Sequence, residues 1–510
     1  MTASADQAAT TPPARLHARW SVVVNLATWA LPIALAVVAM PLLWRELGAA
    51  GYGAYVLAAG YAAIATSFAP FRGTAQRVAA IPPGDPHALA HVIRGAYLAA
   101  CVTGAATTAA FLLGAPALVR FAGIDPGADP AALAAFRIAA AAPLALHLAQ
   151  AARGVLIGRE RYVAYGIHLT GATIATTVGT VLLARMGHRA PGLMLWLVAV
   201  GVVAAAAGVA STWPRATRSA ADNGPRSTVA ANAWAIARFG GIVLATDLLI
   251  SVYVLAERMI LARAAGLGEV PYYTVPLTLA SALQNALAAA SIVMLPRAGA
   301  AAARGDVAAL RVLYARAITL VTTVGVGGSA ALAVAAGPLL ASWMDPAFAA
   351  RTAGVAAILF AAFCVNAVAT PMWTMAEGVA RPARNTAMIA AVVVVGAAAG
   401  LLWAPGHGAM GTAAARALAT LLAVPVFVVA GERAIVGGVD GALWRGLARH
   451  LLPAALLLLA AEAATAQILL GLPRVLVAGG LLLPYAAWVW HTPLFDADAR
   501  RAVRRLVGFR

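Results

Sequence analysis

The sequence predicts an all-α polytopic membrane protein of about fourteen transmembrane helices. Three observations carry that expectation. Of the 510 residues, 63% are hydrophobic and only 11% charged, whereas about a quarter of a soluble domain is charged. The apolar residues fall into segments of the roughly 20-residue length that a bilayer requires. The arginines also sort by side, 26 of them falling at alternate joints and the termini against seven at the other joints.

Taken in order, residues 1–20 form a polar N-terminus. The apolar segment behind them is too long for a signal h-region and has no evident cleavage site, so it reads as a retained helix. An N-lobe, 21–213, holds spans near 21–44, 54–71, 92–113, 131–151, 163–184 and 191–213. A polar linker, 214–233, leads to a C-lobe, 234–430, with spans near 236–262, 273–296, 312–341, 353–376, 385–404 and 408–430. Two extra helices near 451–470 and 473–490 lie in 431–490, and a basic tail fills 491–510. The joints carry turn chemistry, as in Ile81-Pro82-Pro83-Gly84-Asp85-Pro86 and Asp345-Pro346. The longest outer joint, 114–130, offers only Asp125 and Asp129.

Counting basic residues near helix ends places both termini in the cytoplasm. The formal charge of +18 is then topological and asks for no nucleic acid. No lysine occurs, so every basic side chain is a guanidinium. The tail arginines, Arg500, Arg501, Arg504, Arg505 and Arg510, read either as an orientation signal or as a contact with anionic membrane lipids. Cys101 and Cys364 both sit in apolar runs, which supports neither a disulfide framework nor a thiolate metal site. No metal and no cofactor are expected.

An internal repeat organises the chain. Arg45-x-x-Gly48 with Tyr55 returns as Arg263-x-x-Gly266 with Tyr273, at an offset of 218. Gly187-His188-Arg189-Ala190-Pro191-Gly192 is echoed by Gly406-His407-Gly408-Ala409-Met410-Gly411 at 219, and Gly158 with Arg161 by Gly378 with Arg381 at 220. Six helices per copy is an even number. Both copies therefore enter the membrane in the same direction, which implies two six-helix lobes related by a pseudo-two-fold axis along the membrane normal. Two like lobes suit alternating access.

The run Leu47-Gly48-Ala49-Ala50-Gly51-Tyr52-Gly53-Ala54-Tyr55 resembles the polysaccharide (O-antigen type) flippases of the multidrug/oligosaccharidyl-lipid/polysaccharide exporter superfamily. So do Leu295-Pro296-Arg297 at the end of the eighth helix, Arg304-Gly305-Asp306 after it, and Gly408-Ala409-Met410-Gly411-Thr412-Ala413-Ala414 leading into the twelfth. The resemblance spans most of the chain. It implies a V-shaped pair of six-helix lobes, with substrate in a central cavity and the lipid tail in a groove beside them.

Candidate site residues emerge where the repeat breaks, because like lobes must differ to handle an asymmetric cargo. Asp247, Glu257 and Arg258 stand in one membrane-length helix opposite Trp29, Ala39 and Met40, and Arg137 and Arg416 likewise face apolar partners in the other copy. A charge near the bilayer centre costs about 2.5–3.5 kcal/mol on insertion scales, so such residues usually face a bundle interior. Arg137, Arg258 and Arg416 all fall about 8–12 Å below the outer ends of their helices, at ~1.5 Å per residue. Guanidinium holds oxyanions bidentately and stays charged, which suits the diphosphate of a lipid-linked sugar. The competing reading is that these arginines snorkel to the interface and that Glu257 neutralises its neighbour Arg258.

Asp247 and Glu257 are the candidates for coupling to H+ or Na+. Asp247 equally suits a hydrogen-bonded tie between helices. Asn25, Gln284 and Asn285 are amides able to bind sugar hydroxyls or to tie helices together. Trp29 and Tyr253 suit stacking on sugar rings or core packing. His147 and His168 read as locally hydrogen-bonded.

No catalytic residues are expected. The chain lacks a Gly-x-x-x-x-Gly-Lys-Ser/Thr loop. The sequence reading is a flippase for a polyprenyl-diphosphate-linked oligosaccharide, working with polysaccharide assembly proteins. A peptidoglycan lipid-precursor flippase and an ion-coupled multidrug exporter are the alternatives. An integral-membrane glycan enzyme fits less well, because no large outer loop or surface His/Asp pair is present.

Overall fold

The computed structural model describes residues 14–82, 85–127, 129–214, 228–291, 294–466 and 472–492. Most of the polar N-terminus, the linker and the basic tail therefore lie outside the described residues. Every regular element among the described residues is helical. In order they are α1 (Ala14–Ser67), α2 (Phe71–Ala79), α3 (Pro86–Phe121), α4 (Pro130–Gly158), α5 (Tyr162–Arg185), α6 (Ala190–Thr212) and α7 (Val229–Ala265). A 3₁₀ turn (Leu267–Glu269) leads to α8 (Val270–Ser291), α9 (Met294–Ala303), α10 (Val307–Trp343), α11 (Pro346–Gly378), α12 (Ala383–Ile435), α13 (Gly441–Ala466) and α14 (Leu472–His491). Eight helices among the described residues are long and apolar enough to cross a bilayer. The protein is an all-α, multi-pass membrane protein.

Three local features depart from the sequence expectation. The first and second spans, and the eleventh and twelfth, run on as single helices broken at one residue each, Gly48 (φ 67°, ψ 177°) and Gly408 (φ 54°, ψ −132°). Only glycine takes these angles without Cβ strain, so one residue replaces a loop. The Leu295-Pro296-Arg297 motif does not end the eighth span but sits in the separate short helix α9. The outer joint placed at 114–130 shrinks, because α3 continues through Pro116 to Phe121. Proline is tolerated there because other groups in a bundle can satisfy the backbone carbonyl it frees.

The repeat recurs in the backbone. Gly266 (φ 86°, ψ 164°) reproduces Gly48. Glu160 (φ 56°) and Ala380 (φ 58°) are the only non-glycine residues with positive φ among the described residues, and they stand at corresponding places after α4 and α11. Just before them, a Cβ on Gly158 would meet Val78 of α2 at 2.7 Å, and one on Gly378 would meet Ala298 of α9 at 2.7 Å. Asp85 caps α3 through Ala88 N–H (2.8 Å), as Asp306 caps α10 through Ala309 N–H (2.9 Å).

The described residues form two compact units, each drawing on non-contiguous chain. The first takes in Met1–Glu46, Tyr61–Pro116 and Ala131–Leu244. Its core gathers Val92, Ile93, Tyr97, Ala151 and Val155, and the Tyr97 and Thr212 hydroxyls are hydrogen-bonded inside it. The second takes in Leu47–Gly60, Ala117–Pro130 and Ala245–Arg510. Met372, Met375, Val424 and Tyr314 lie at its centre, with Tyr485 of α14 packed among them. A Cβ on Gly53 would stand 2.1 Å from the Leu267 carbonyl, so glycine alone permits that approach inside the second unit.

Candidate functional site

The second unit holds a cluster of charged and phenolic groups built from three helices, with an aromatic ring added by a fourth. On α7, Tyr253 and Glu257 are four residues apart and so share a face. Glu257 is 3% exposed and Tyr253 3%. Tyr273 comes from α8 and is wholly buried, and Arg416 comes from the half of α12 that follows Gly408. The Arg416 Nη2 is ion-paired with Glu257 Oε2. Its Nε donates to the Tyr273 hydroxyl (3.0 Å), and that hydroxyl donates to the same Glu257 oxygen (2.9 Å). The three groups close a ring. The guanidinium carbon also lies 4.8 Å from the Tyr253 ring centroid and 5.8 Å from that of Phe363 on α11, within cation–π range.

Arg258 adds a second guanidinium within electrostatic reach of Arg416. It runs beside Gly60 of α1, where a Cβ would be 3.5 Å from its Nη1, so the small residue leaves room for the charge. The cluster thus sets two guanidiniums against one carboxylate. Among the described residues, Glu257 Oε1, the Tyr253 hydroxyl and Arg258 Nε are buried with no partner at full hydrogen-bond geometry, although the Tyr253 hydroxyl faces the Glu257 carboxylate. Buried polar atoms of this kind are costly, and several in one place mark a site where something else can bind.

The sequence candidates divide accordingly. The structure brings together Tyr253, Glu257, Arg258 and Arg416. It pairs Glu257 with Arg416, not with Arg258. Adjacent helical residues project about 100° apart, so the carboxylate reaches a neighbouring helix more easily than the next residue. Arg137 lies exposed on α4 in the first unit. Asp247 is half-buried on α7 and takes part in an interaction of its own. Beside it, Thr246 is hydrogen-bonded to Thr386 (2.6 Å). Gln284 ties α8 to α11 by donating to Thr370 Oγ1 (2.7 Å), and Asn285 is exposed. The side chains of Asn25 and Trp29 lie outside the described residues. His147 pairs with Thr103 (2.9 Å), and His168 accepts from Arg153 Nε (3.2 Å).

Sequence reasoning missed three groups. Tyr273 marked the repeat, with Tyr55 as its counterpart, so a search for asymmetric positions passed over it. Glu269 accepts from Ala409 N–H (3.3 Å), where α12 restarts, and is ion-paired with Arg351, whose guanidinium stacks 4.1 Å from the Tyr272 ring centroid. Glu432, 1% exposed, accepts from Tyr314 (2.9 Å) and Trp444 (2.9 Å) through one oxygen. Glu269 stands opposite Gly51 in the repeat, an asymmetry that was there to be read.

Neither a protein-family model nor a curated relative matches the sequence. Solved structures do match in fold. The lipid II flippase MurJ in an inward closed conformation aligns with a TM-score of 0.67 and 10% identity, over 92% of this chain and 98% of its own. An inward-facing multidrug resistance MATE family transporter of the MOP superfamily aligns with a TM-score of 0.58 and 16% identity, over 82% of this chain and 95% of its own. A MOP superfamily transporter from Pyrococcus furiosus Vc1 aligns with a TM-score of 0.51 and 15% identity, over 82% and 95%. The structural neighbours of this chain are MOP superfamily transporters.

Proposed function

We propose that the protein is a flippase that moves a polyprenyl-diphosphate-linked oligosaccharide across the cytoplasmic membrane by alternating access between its N- and C-lobes, for surface polysaccharide assembly. The observation that carries this reading is the buried cluster of Arg258 and Arg416 against the single carboxylate of Glu257. A net positive charge inside a membrane protein is expensive unless an anion shares the site for part of the cycle. A diphosphate supplies such an anion in the oxyanion geometry that guanidinium prefers. In this account Arg258 and Arg416 hold the diphosphate and Tyr253 lines the site. Glu257 couples to an ion, and cytoplasmic termini keep the basic tail against anionic lipid. The fold likeness to MOP transporters supports the transport class.

The likeness to a lipid II flippase favours a second cargo, a peptidoglycan lipid precursor, which carries the same diphosphate. The multidrug-transporter likeness stands for a third, but amphipathic cations are badly matched to paired guanidiniums. The test is translocation in proteoliposomes of a fluorescent polyprenyl-diphosphate oligosaccharide, of a peptidoglycan lipid precursor and of a cationic dye. The account expects the first to cross fastest. Transport of the dye alone would overturn it.

A further inference from the structure

Glu257 uses one oxygen for both of its contacts and leaves the other sealed. Oε2 takes the Arg416 ion pair and the Tyr273 hydroxyl, while Oε1 is buried with no donor at full hydrogen-bond geometry among the described residues, the Tyr253 hydroxyl being the group that faces the carboxylate. Guanidinium pairs most strongly with a carboxylate or phosphate through two parallel hydrogen bonds. Here the carboxylate gives one, and the Nε of Arg416 goes to Tyr273 instead (3.0 Å). The pair is therefore weaker than what an incoming phosphate can form. Arg258 Nε is a buried donor without an acceptor in the same cluster, so an arriving oxyanion gains a second contact that Glu257 does not make.

We propose that Glu257 occupies Arg416 in place of the cargo, that the cargo's oxyanion displaces it, and that the displaced carboxylate takes up one proton from solvent. The proposal rests on the reading of the cargo as a diphosphate. Once Arg416 has turned to the anion, an ionised Glu257 would be left buried beside the cargo's negative charge, and protonation removes that cost. Among the described residues, the charged and titratable groups facing Glu257 are Tyr253 and Arg258 on α7, Tyr273 on α8 and Arg416 on α12. From α1, Tyr52 faces Arg258, and from α11 only the ring of Phe363 reaches Arg416. The phenols stay neutral at physiological pH, which leaves Glu257 as the proton acceptor. The step is a proton transfer alone. The carboxylate gains the proton on binding and returns it to water when the anion leaves.

The experiment uses the full chain in detergent and a short-chain prenyl diphosphate sugar, whose diphosphate diester holds no proton near neutral pH. Affinity and proton uptake, read with an indicator dye in weak buffer, are measured together. Wild type is expected to take up one proton per molecule bound, with affinity falling about tenfold per pH unit as pH rises. Glu257→Gln, which keeps the shape, is expected to bind more tightly at neutral pH, without proton uptake and without pH dependence. Glu257→Asp keeps the acid and is expected to keep the uptake. Binding by wild type without proton uptake, or equal uptake by Glu257→Gln, overturns the exchange and leaves the diphosphate reading standing. Binding of a cationic dye with none of the diphosphate sugar overturns both.

Discussion

Removing either member of the Arg416–Glu257 pair leaves a charge without its ion-pair partner in a largely buried site. The side chains are 11% and 4% exposed, so solvent screening is slight. Breaking such a pair typically costs about 3–5 kcal/mol. Glu257→Leu and Arg416→Met are each expected to lose that much stability. The double variant loses both charges and keeps the volume, so its remaining cost is the orphaned Tyr273 hydroxyl, about 1–3 kcal/mol, together with the counter-charge that Arg258 loses in Glu257, a loss it shares with Glu257→Leu. The cycle should therefore show a coupling energy of at least about 2 kcal/mol, with the double variant more stable than Glu257→Leu. The assay is reversible unfolding in mixed micelles of increasing SDS fraction, followed by far-ultraviolet circular dichroism. Losses that add to within about 0.5 kcal/mol would refute the reasoning, because they would mean that the two charges do not rely on each other.

Other substitutions test the frame around the site. Gly48→Ala and Gly266→Ala force a Cβ onto φ 67° and φ 86° with extended ψ, a region kept for glycine, and are expected to cost about 1–3 kcal/mol each in the same unfolding assay. Gly408→Ala should cost more than either, since its Cβ would also lie 2.9 Å from Glu269 Oε2. Arg351→Ala removes an ion pair whose arginine side chain is 57% exposed, and its unfolding midpoint should shift by no more than about 1 kcal/mol. Gly396→Ala would place a Cβ 2.0 Å from the Tyr253 hydroxyl and push the ring off Arg416. A loss of about 1–3 kcal/mol together with weaker cargo binding is expected, and unchanged binding would separate Tyr253 from the site.

The helices and the repeat were legible because their signals are local. Length and apolarity mark a span whatever it packs against, and Gly48 and Gly266 share their backbone angles because each must turn the chain in the same way. The partner of Glu257 was not legible. Arg416 lies 159 residues further on, and periodicity gives the face of a helix but not which neighbour that face meets. Expected depth alone did not separate Arg137, which is exposed on α4, from Arg258 and Arg416, which are half-buried in the cluster. Breaks in the repeat singled out Glu257, Arg258 and Arg416, which the structure brings together, yet the same rule hid Tyr273, whose counterpart is also a tyrosine. The continuous helices through Gly48 and Gly408 were missed because a break and a short loop leave the same glycine in the sequence.

The central claim is that the buried guanidiniums hold the cargo's diphosphate, and affinity for that group tests it most directly. Arg258 is the better probe, because Glu257 pairs with Arg416 and its loss disturbs the fold less. Binding of a prenyl diphosphate sugar to purified wild type and Arg258→Ala should differ by about 10- to 150-fold, the worth of a charge-assisted hydrogen bond of about 1.5–3 kcal/mol. Equal affinities in two equally well-folded proteins would contradict the account.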